Sequence, residues 1–150
     1  MSNGVTSGVT SGVTGAVSGQ AADGAVAAAK VLVIDDSNTI RRSAEIFLRQ
    51  GGYEVVLAED GFDALSKVND HSPQLIFCDI LMPRLDGYQT CAIIKRNPRF
   101  AHVPVIMLSS KDGLFDKARG RMVGSSEYLT KPFTKEQLLR AVEQFRRAAA

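Results

Sequence analysis

The chain has 150 residues, a formal net charge of +2 and 45% hydrophobic residues, enough for one domain. All 18 Lys and Arg and 15 of the 16 Asp and Glu lie beyond residue 29, a balance too mild to argue for nucleic acid. No run approaches the roughly 18 apolar residues that a membrane span needs, so no membrane insertion is expected.

Residues 1–29 stand apart. They repeat Val-Thr-Ser-Gly from Val5, then drift into an alanine-rich run with no aromatic residue, no Leu or Ile, and Asp23 as the one charge. Such a segment cannot bury enough apolar area to offset the entropy of ordering it. A disordered low-complexity tail is expected there, and one domain over residues 30–150. No basic residue precedes the apolar part, which argues against a secretory signal. Cys78 and Cys91 form no C-x-x-C and read as reduced thiols of a cytoplasmic protein. His71 and His102 lack partners at ligand spacing, which argues against a transition-metal site.

Residues 31–34, Val-Leu-Val-Ile, predict a first strand. It ends in Asp35-Asp36-Ser37-Asn38, where Ser37 or Asn38 caps a helix. That helix carries Ile40, Ala44, Phe47 and Leu48 on one stripe and stops at Gly51-Gly52. Residues 53–58 predict a second strand, and Asp60-Gly61 leads into a helix with Phe62, Leu65 and Val68 inward. Ser72-Pro73 breaks it. Leu75–Asp79 is a continuous apolar run ending in a carboxylate, the habit of a strand buried on both faces. Asp86 caps a third helix with Tyr88, Cys91, Ala92 and Lys95 inward, ended by Asn97-Pro98. Residues 103–108 predict a fourth strand closing on Ser109-Ser110. A short helix over 113–122, a fifth strand over 127–130 and a last helix from Thr134, burying Leu138, Val142 and Phe145, complete the chain.

Strand and helix alternate five times. That spacing implies an α/β fold: a flavodoxin-like five-stranded parallel sheet of order 2-1-3-4-5 with helices on both faces. In such sheets ligands bind outside the carboxyl ends of the strands, at the switch point between strands one and three. Strand one delivers Asp35 and Asp36 there, and strand three delivers Asp79. Two like charges about 4 Å apart repel by roughly 4 kcal/mol at an effective dielectric near 20, so three carboxylates need counter-charge. Lys131, after strand five, supplies one. A hard divalent cation, Mg²⁺, is the other answer, because the donors are oxygens. One carboxylate, a metal, a lysine and the Ser109 hydroxyl suit attack by Asp79 on phosphorus, giving an aspartyl phosphate.

Asp35-Asp36, Asp79 with Met82-Pro83 and Asp86-Gly87, Ser109 after the fourth strand, and Lys131-Pro132-Phe133 occur in order at these strand ends. With them the chain resembles the receiver domains of two-component response regulators from residue 30 to about 147. Thr39-Ile40-Arg41-Arg42 and residues 83–91 and 109–117 are most similar to stand-alone regulators of twitching motility. The resemblance implies that Asp79 is the phosphoacceptor, assisted by Lys131 and Ser109. It also implies that Asp36, Asp79 and the Leu81 backbone carbonyl bind Mg²⁺ directly, that Asp35 acts largely through water, and that Ser109 and Tyr128 form a switch pair. Ser109 stands where Thr is commoner, keeping the hydroxyl and losing a methyl. The kinase would be a histidine kinase of the chemotaxis type, and the process type IV pilus movement. The chain ends soon after the last predicted helix, so output is expected through a protein target. Its docking face would comprise the fourth helix, fifth strand and fifth helix, near Lys117, Arg119 and Arg121. The protein would be a monomer or weak dimer, and no enzyme beyond accepting and hydrolysing its own phosphate. A cis Lys131–Pro132 bond is expected, because Lys131 must aim back into the crevice while the chain turns into a helix.

Two rival readings are weaker. A flavin carrier on this fold needs a Ser/Thr/Gly-rich loop after strand one, where Asp35-Asp36 would repel a phosphate. A haloacid-dehalogenase-like phosphatase needs D-x-D after strand one, and here Asp35 and Asp36 are adjacent.

Overall fold

β-Branched apolar runs punctuated by capping residues produce five strand–helix units. The computed structural model describes residues 28–110 and 116–149, of which 147–149 are described by backbone alone. The elements are β1 (Lys30–Ile34), α1 (Asn38–Gln50), β2 (Glu54–Ala58), α2 (Gly61–His71) and β3 (Leu75–Asp79). Then follow α3 (Gly87–Arg96), β4 (Val105–Ser110), α4 (Lys117–Val123), β5 (Glu127–Lys131) and α5 (Lys135–Ala149). All strand pairs are parallel, in the order β2-β1-β3-β4-β5. The disordered tail was expected over residues 1–29; residues 1–27 of it lie outside the described residues. Ala29 is buried and its carbonyl accepts from the Glu54 N–H, so the sheet's hydrogen bonding reaches one residue before β1.

Alternate strand residues feed two cores. Leu32, Ile34, Ile76, Cys78 and Met107 pack under α2 and α3, against Ala64, Val68, Cys91 and Ile94. Val31, Val33, Phe77, Ile106 and Leu108 pack under α1 and α5, against Ala44, Leu48, Leu138 and Val142. The side-chain period of two in a strand is what sorts them.

Ser37, not Asn38, caps α1, accepting from the Ile40 N–H at 3.3 Å. Phe62 departs from the expected inward position and is 53% exposed. The inward face of α2 is Gly61, Ala64 and Val68, and Phe62 lies about 100° round from Gly61. The buried face of α3 is also wider than its expected stripe: Thr90 and Ile94 are buried, Ala92 and Lys95 half-buried. Helix α3 packs on the sheet and between α2 and α4, which covers its flanks. Lys95 lays its stem inward and donates to the Ala101 and Val103 carbonyls. Burial lowers its pKa. β4 starts later than expected because the Val103 N–H is taken by the Phe100 carbonyl and Pro104 has none to give. It runs through Ser109 and Ser110. The described part of α4 begins at Lys117, capped by Asp116, and the expected helical residues 113–115 lie outside the described residues. Thr134 and Gln137 exchange side-chain-to-backbone hydrogen bonds before α5, while Phe145 is half-buried. The Lys131–Pro132 bond is cis. No helix of the described residues is long and apolar enough to cross a membrane.

After β3 the chain turns back over the strand's own end. Asp86 and Gln89 form a reciprocal capping box, and the Gly87 N–H donates to the Ile80 carbonyl at 2.9 Å. A Cβ on Gly87 would lie 2.3 Å from the Asp79 carbonyl oxygen, so only glycine fits unless the backbone moves. Gly87→Ala is therefore expected to cost about 1–3 kcal/mol, the usual price of overpacking, read as a lower urea midpoint at unchanged slope.

Candidate functional site

Register brings the carboxylates together. Ile34 pairs with Cys78, so the next residues, Asp35 and Asp79, leave adjacent strands side by side. Ser110 pairs with Lys131, which brings that lysine to the same edge. Carboxylate oxygens of Asp35, Asp36 and Asp79 lie within 4.8 Å of one another. Lys131 Nζ donates to Asp35 Oδ2 and to Asp79 Oδ1, each at 3.0 Å.

Asp35 is fully buried and well held. Its Oδ1 accepts from the Ser37 N–H at 2.8 Å, and its backbone carbonyl accepts from Arg41 Nη1 at 2.6 Å. Asp36 is exposed at the mouth. Burial, then the Asp35 charge, pushes the Asp79 carboxyl up to about 7, although Lys131 opposes the shift. Burial by itself would lower the Lys131 pKa, but the hydrogen bonds and charges of Asp79 and Asp35 outweigh it, and the pKa is raised. The ammonium is thus fixed as a cation between two carboxylates.

Asp36, Asp79, Leu81, Ser109 and Lys131 line a crevice of about 180 Å³. A larger groove of about 550 Å³, between Phe100 and Val142, has no carboxylate among the described residues of its lining; chemistry, not volume, marks the site. Ser109 is buried, and among the described residues its Oγ makes only a long hydrogen bond, 3.4 Å, to its neighbour's carbonyl. Tyr128 is outside the crevice. Its register partner is Met107, two rungs from the Ser109–Thr130 pair, and it is 36% exposed. The donor set is oxygen alone, which fits Mg²⁺. Cys78 faces the core, its Sγ 3.6 Å from the Asp79 carbonyl oxygen, and burial keeps its thiol protonated.

Sequence reasoning gathers the carboxylates, Lys131, Leu81 and Ser109, but misses their supports. Arg41 and Ser37 hold the Asp35 backbone and carboxylate, and Gly87 underlies Asp79. The Asp86-Gly87 step is the one signal that could have found Gly87, since glycine just after a cap marks close backbone approach. Arg41 carries no local signal, because it bonds a carbonyl six residues back.

Residues 31–143 match the response regulator receiver domain family model. The chain is 64% identical over 124 residues to protein PilG of Pseudomonas aeruginosa, spanning 83% of this chain and 89% of that protein. It is 37% identical over 109 residues to the alkaline phosphatase synthesis transcriptional regulatory protein PhoP of Bacillus subtilis. That match spans 73% of this chain and 45% of PhoP. Chemotaxis protein CheY4 of Vibrio cholerae superposes with a TM-score of 0.75 at 34% identity, over 79% of this chain and 98% of that one. The receiver domain of Francisella response regulator 1452 superposes at 0.72 and 33%, over 81% and 99%. Five parallel strands, an acidic crevice at their carboxyl ends and a lysine shared by two carboxylates are thus the frame of a known family: the chain belongs to the response regulator receiver domains.

Proposed function

We propose that this receiver, residues 30–150, takes a phosphoryl group on Asp79 from a histidine kinase of the chemotaxis type. The observation that carries the reading is Lys131 Nζ at 3.0 Å from both Asp35 and Asp79, within a cluster of three carboxylates. That lysine cancels part of the charge a phosphoryl group meets on entry and stands ready to neutralise its oxygens. An Asp79 oxygen forms a bond to phosphorus as the phosphorus–nitrogen bond to the donor imidazole breaks, and the imidazole leaves with the bonding pair. Attack of water on phosphorus later releases inorganic phosphate and restores the carboxylate. Asp36, Asp79 and the Leu81 carbonyl would hold Mg²⁺ directly, with Asp35 acting largely through water because both its oxygens already accept hydrogen bonds. Bound there, the ion supplies positive charge to the phosphoryl oxygens.

The Ser109 hydroxyl, which makes a long hydrogen bond to the Ser110 carbonyl, turns to a phosphoryl oxygen. The space it vacates lets the Tyr128 ring move inward, and the face of α4, β5 and α5 changes for a protein target. Lys117, Arg121 and Met122 are exposed on α4, whereas Arg119 turns to α3, pairing with Asp86 at 3.6 Å and lying 4.5 Å from the centroid of the Tyr88 ring. The identity with PilG supports a place in the cytoplasm, in the control of type IV pilus twitching motility.

Acetyl phosphate or phosphoramidate with Mg²⁺ should add one base-labile phosphoryl group, seen by intact mass. Asp79→Asn should not take it, and full labelling of that variant would sink the assignment. Ser109→Ala should still accept phosphate but lose most of the phosphorylation-dependent gain in partner binding; an undiminished gain removes Ser109 from the switch. The Asp79 pKa predicts a pH signature without metal. It is raised in the fold, so the folded state binds the proton more tightly than the unfolded chain, and this group's contribution to stability falls as pH rises from about 4 to about 7. Denaturation midpoints measured across that window should show this falling component in wild type and not in Asp79→Asn.

A further inference from the structure

The connection between β3 and α3 carries the Leu81 carbonyl, and its backbone is in an unfavourable shape. The Leu85 N–H donates to the Pro83 carbonyl at 2.8 Å, closing a three-residue turn centred on Arg84, whose φ is 69°. A non-glycine residue stays in that region only where its surroundings over-determine it. Here the surroundings are the start of α2. The Arg84 guanidinium donates to Asp60 Oδ2 at 3.1 Å and lies 5.0 Å from the centroid of the Phe62 ring. Asp60 Oδ1 meanwhile caps α2, accepting from the Asp63 N–H at 2.7 Å. Gly61 makes room for the same loop, since a Cβ there would lie 2.8 Å from Leu85 Cδ2. The outward turn of Phe62 is thereby explained: it is the floor on which Arg84 rests.

We propose that Arg84 is a positioning residue that, clamped between Asp60 and Phe62, fixes the loop presenting the Leu81 carbonyl and so sets the crevice's affinity for Mg²⁺. The inference rests on the metal reading given above. The ion pair is 64% and 24% exposed on its two sides, so it adds little to global stability and acts locally. Removing one exposed ion pair and one cation–π contact corresponds to a loss on the order of fivefold in affinity. Long-range charge gives a different pattern. Deleting a cation near the crevice strengthens Mg²⁺ binding and deleting an anion weakens it, whereas breaking a clamp from either side weakens it.

The test titrates the full chain with Mg²⁺, following the Leu85 and Gly87 amide resonances, in wild type, Arg84→Ala, Asp60→Asn and the double variant. Asparagine keeps the α2 cap. Both single variants should bind about fivefold more weakly, the double variant no worse than either, and Arg84→Lys should recover part of the loss. In metal-free protein the Leu85 and Gly87 amides should exchange faster in both single variants while core amides do not change. Tighter binding by Arg84→Ala, additive losses in the double variant, or unchanged loop exchange each overturn the clamp. A wild-type chain that shows no Mg²⁺ binding dependent on Asp36 sinks the metal reading and the inference with it. Normal wild-type binding with unaffected variants sinks the clamp alone.

Discussion

The Lys131 ammonium is the interaction on which the site depends. A parallel sheet has no freedom to separate Asp35 from Asp79, because the register that buries Val33 and Phe77 on one face also sets the next carboxylates side by side. Sliding one strand by a single residue would relieve the repulsion but turn every apolar side chain of that strand to the wrong face. The charge must therefore be answered from elsewhere. Lys131 answers it from the far side of β4, and its hydrogen bonds to both acids leave one ammonium serving two carboxylates. With Asp36 added at the mouth, the cluster keeps an excess of negative charge. That excess is what suits it to a hard cation and to an anion delivered with one.

The supports around this centre are mostly backbone devices. Ser37 caps α1 and its N–H also holds Asp35 Oδ1. Gly87 lets the loop after β3 touch the strand it has just left. Arg41 reaches back to the Asp35 carbonyl. None of these residues lines the crevice, yet each holds a member of the carboxylate cluster in place. The crevice is shaped from behind, by hydrogen bonds and close approach, while its mouth stays open.

The fold was legible because its signals are local. Val31–Ile34 and Leu75–Cys78 are continuous apolar runs, Asp60 and Asp86 are strong caps, and Gly51-Gly52 and Ser72-Pro73 are clear stops. The carboxylate cluster was legible because strand ends in a parallel sheet converge by topology. What escaped was non-local. Phe62 reads as core by hydrophobicity, but an arginine 22 positions away gives it a partner at the surface. Ile94 reads as off-stripe because the stripe model assumes one packing face, whereas α3 has neighbours on both flanks. The late start of β4 follows from a turn closed by Phe100 and from the missing N–H of Pro104, which no alternation pattern encodes.

The sheet divides the interior into two cores that share no side chain: α1 and α5 close one, α2 and α3 the other. It acts as a partition wall. A change of volume beneath α3 is felt across the wall only through strand backbones already braced by hydrogen bonds. The outer surfaces of the two layers are then separate canvases. Residues such as Ile46 on α1 and Ile93 on α3, both exposed, can be recoloured for one partner without repacking the layer that meets another.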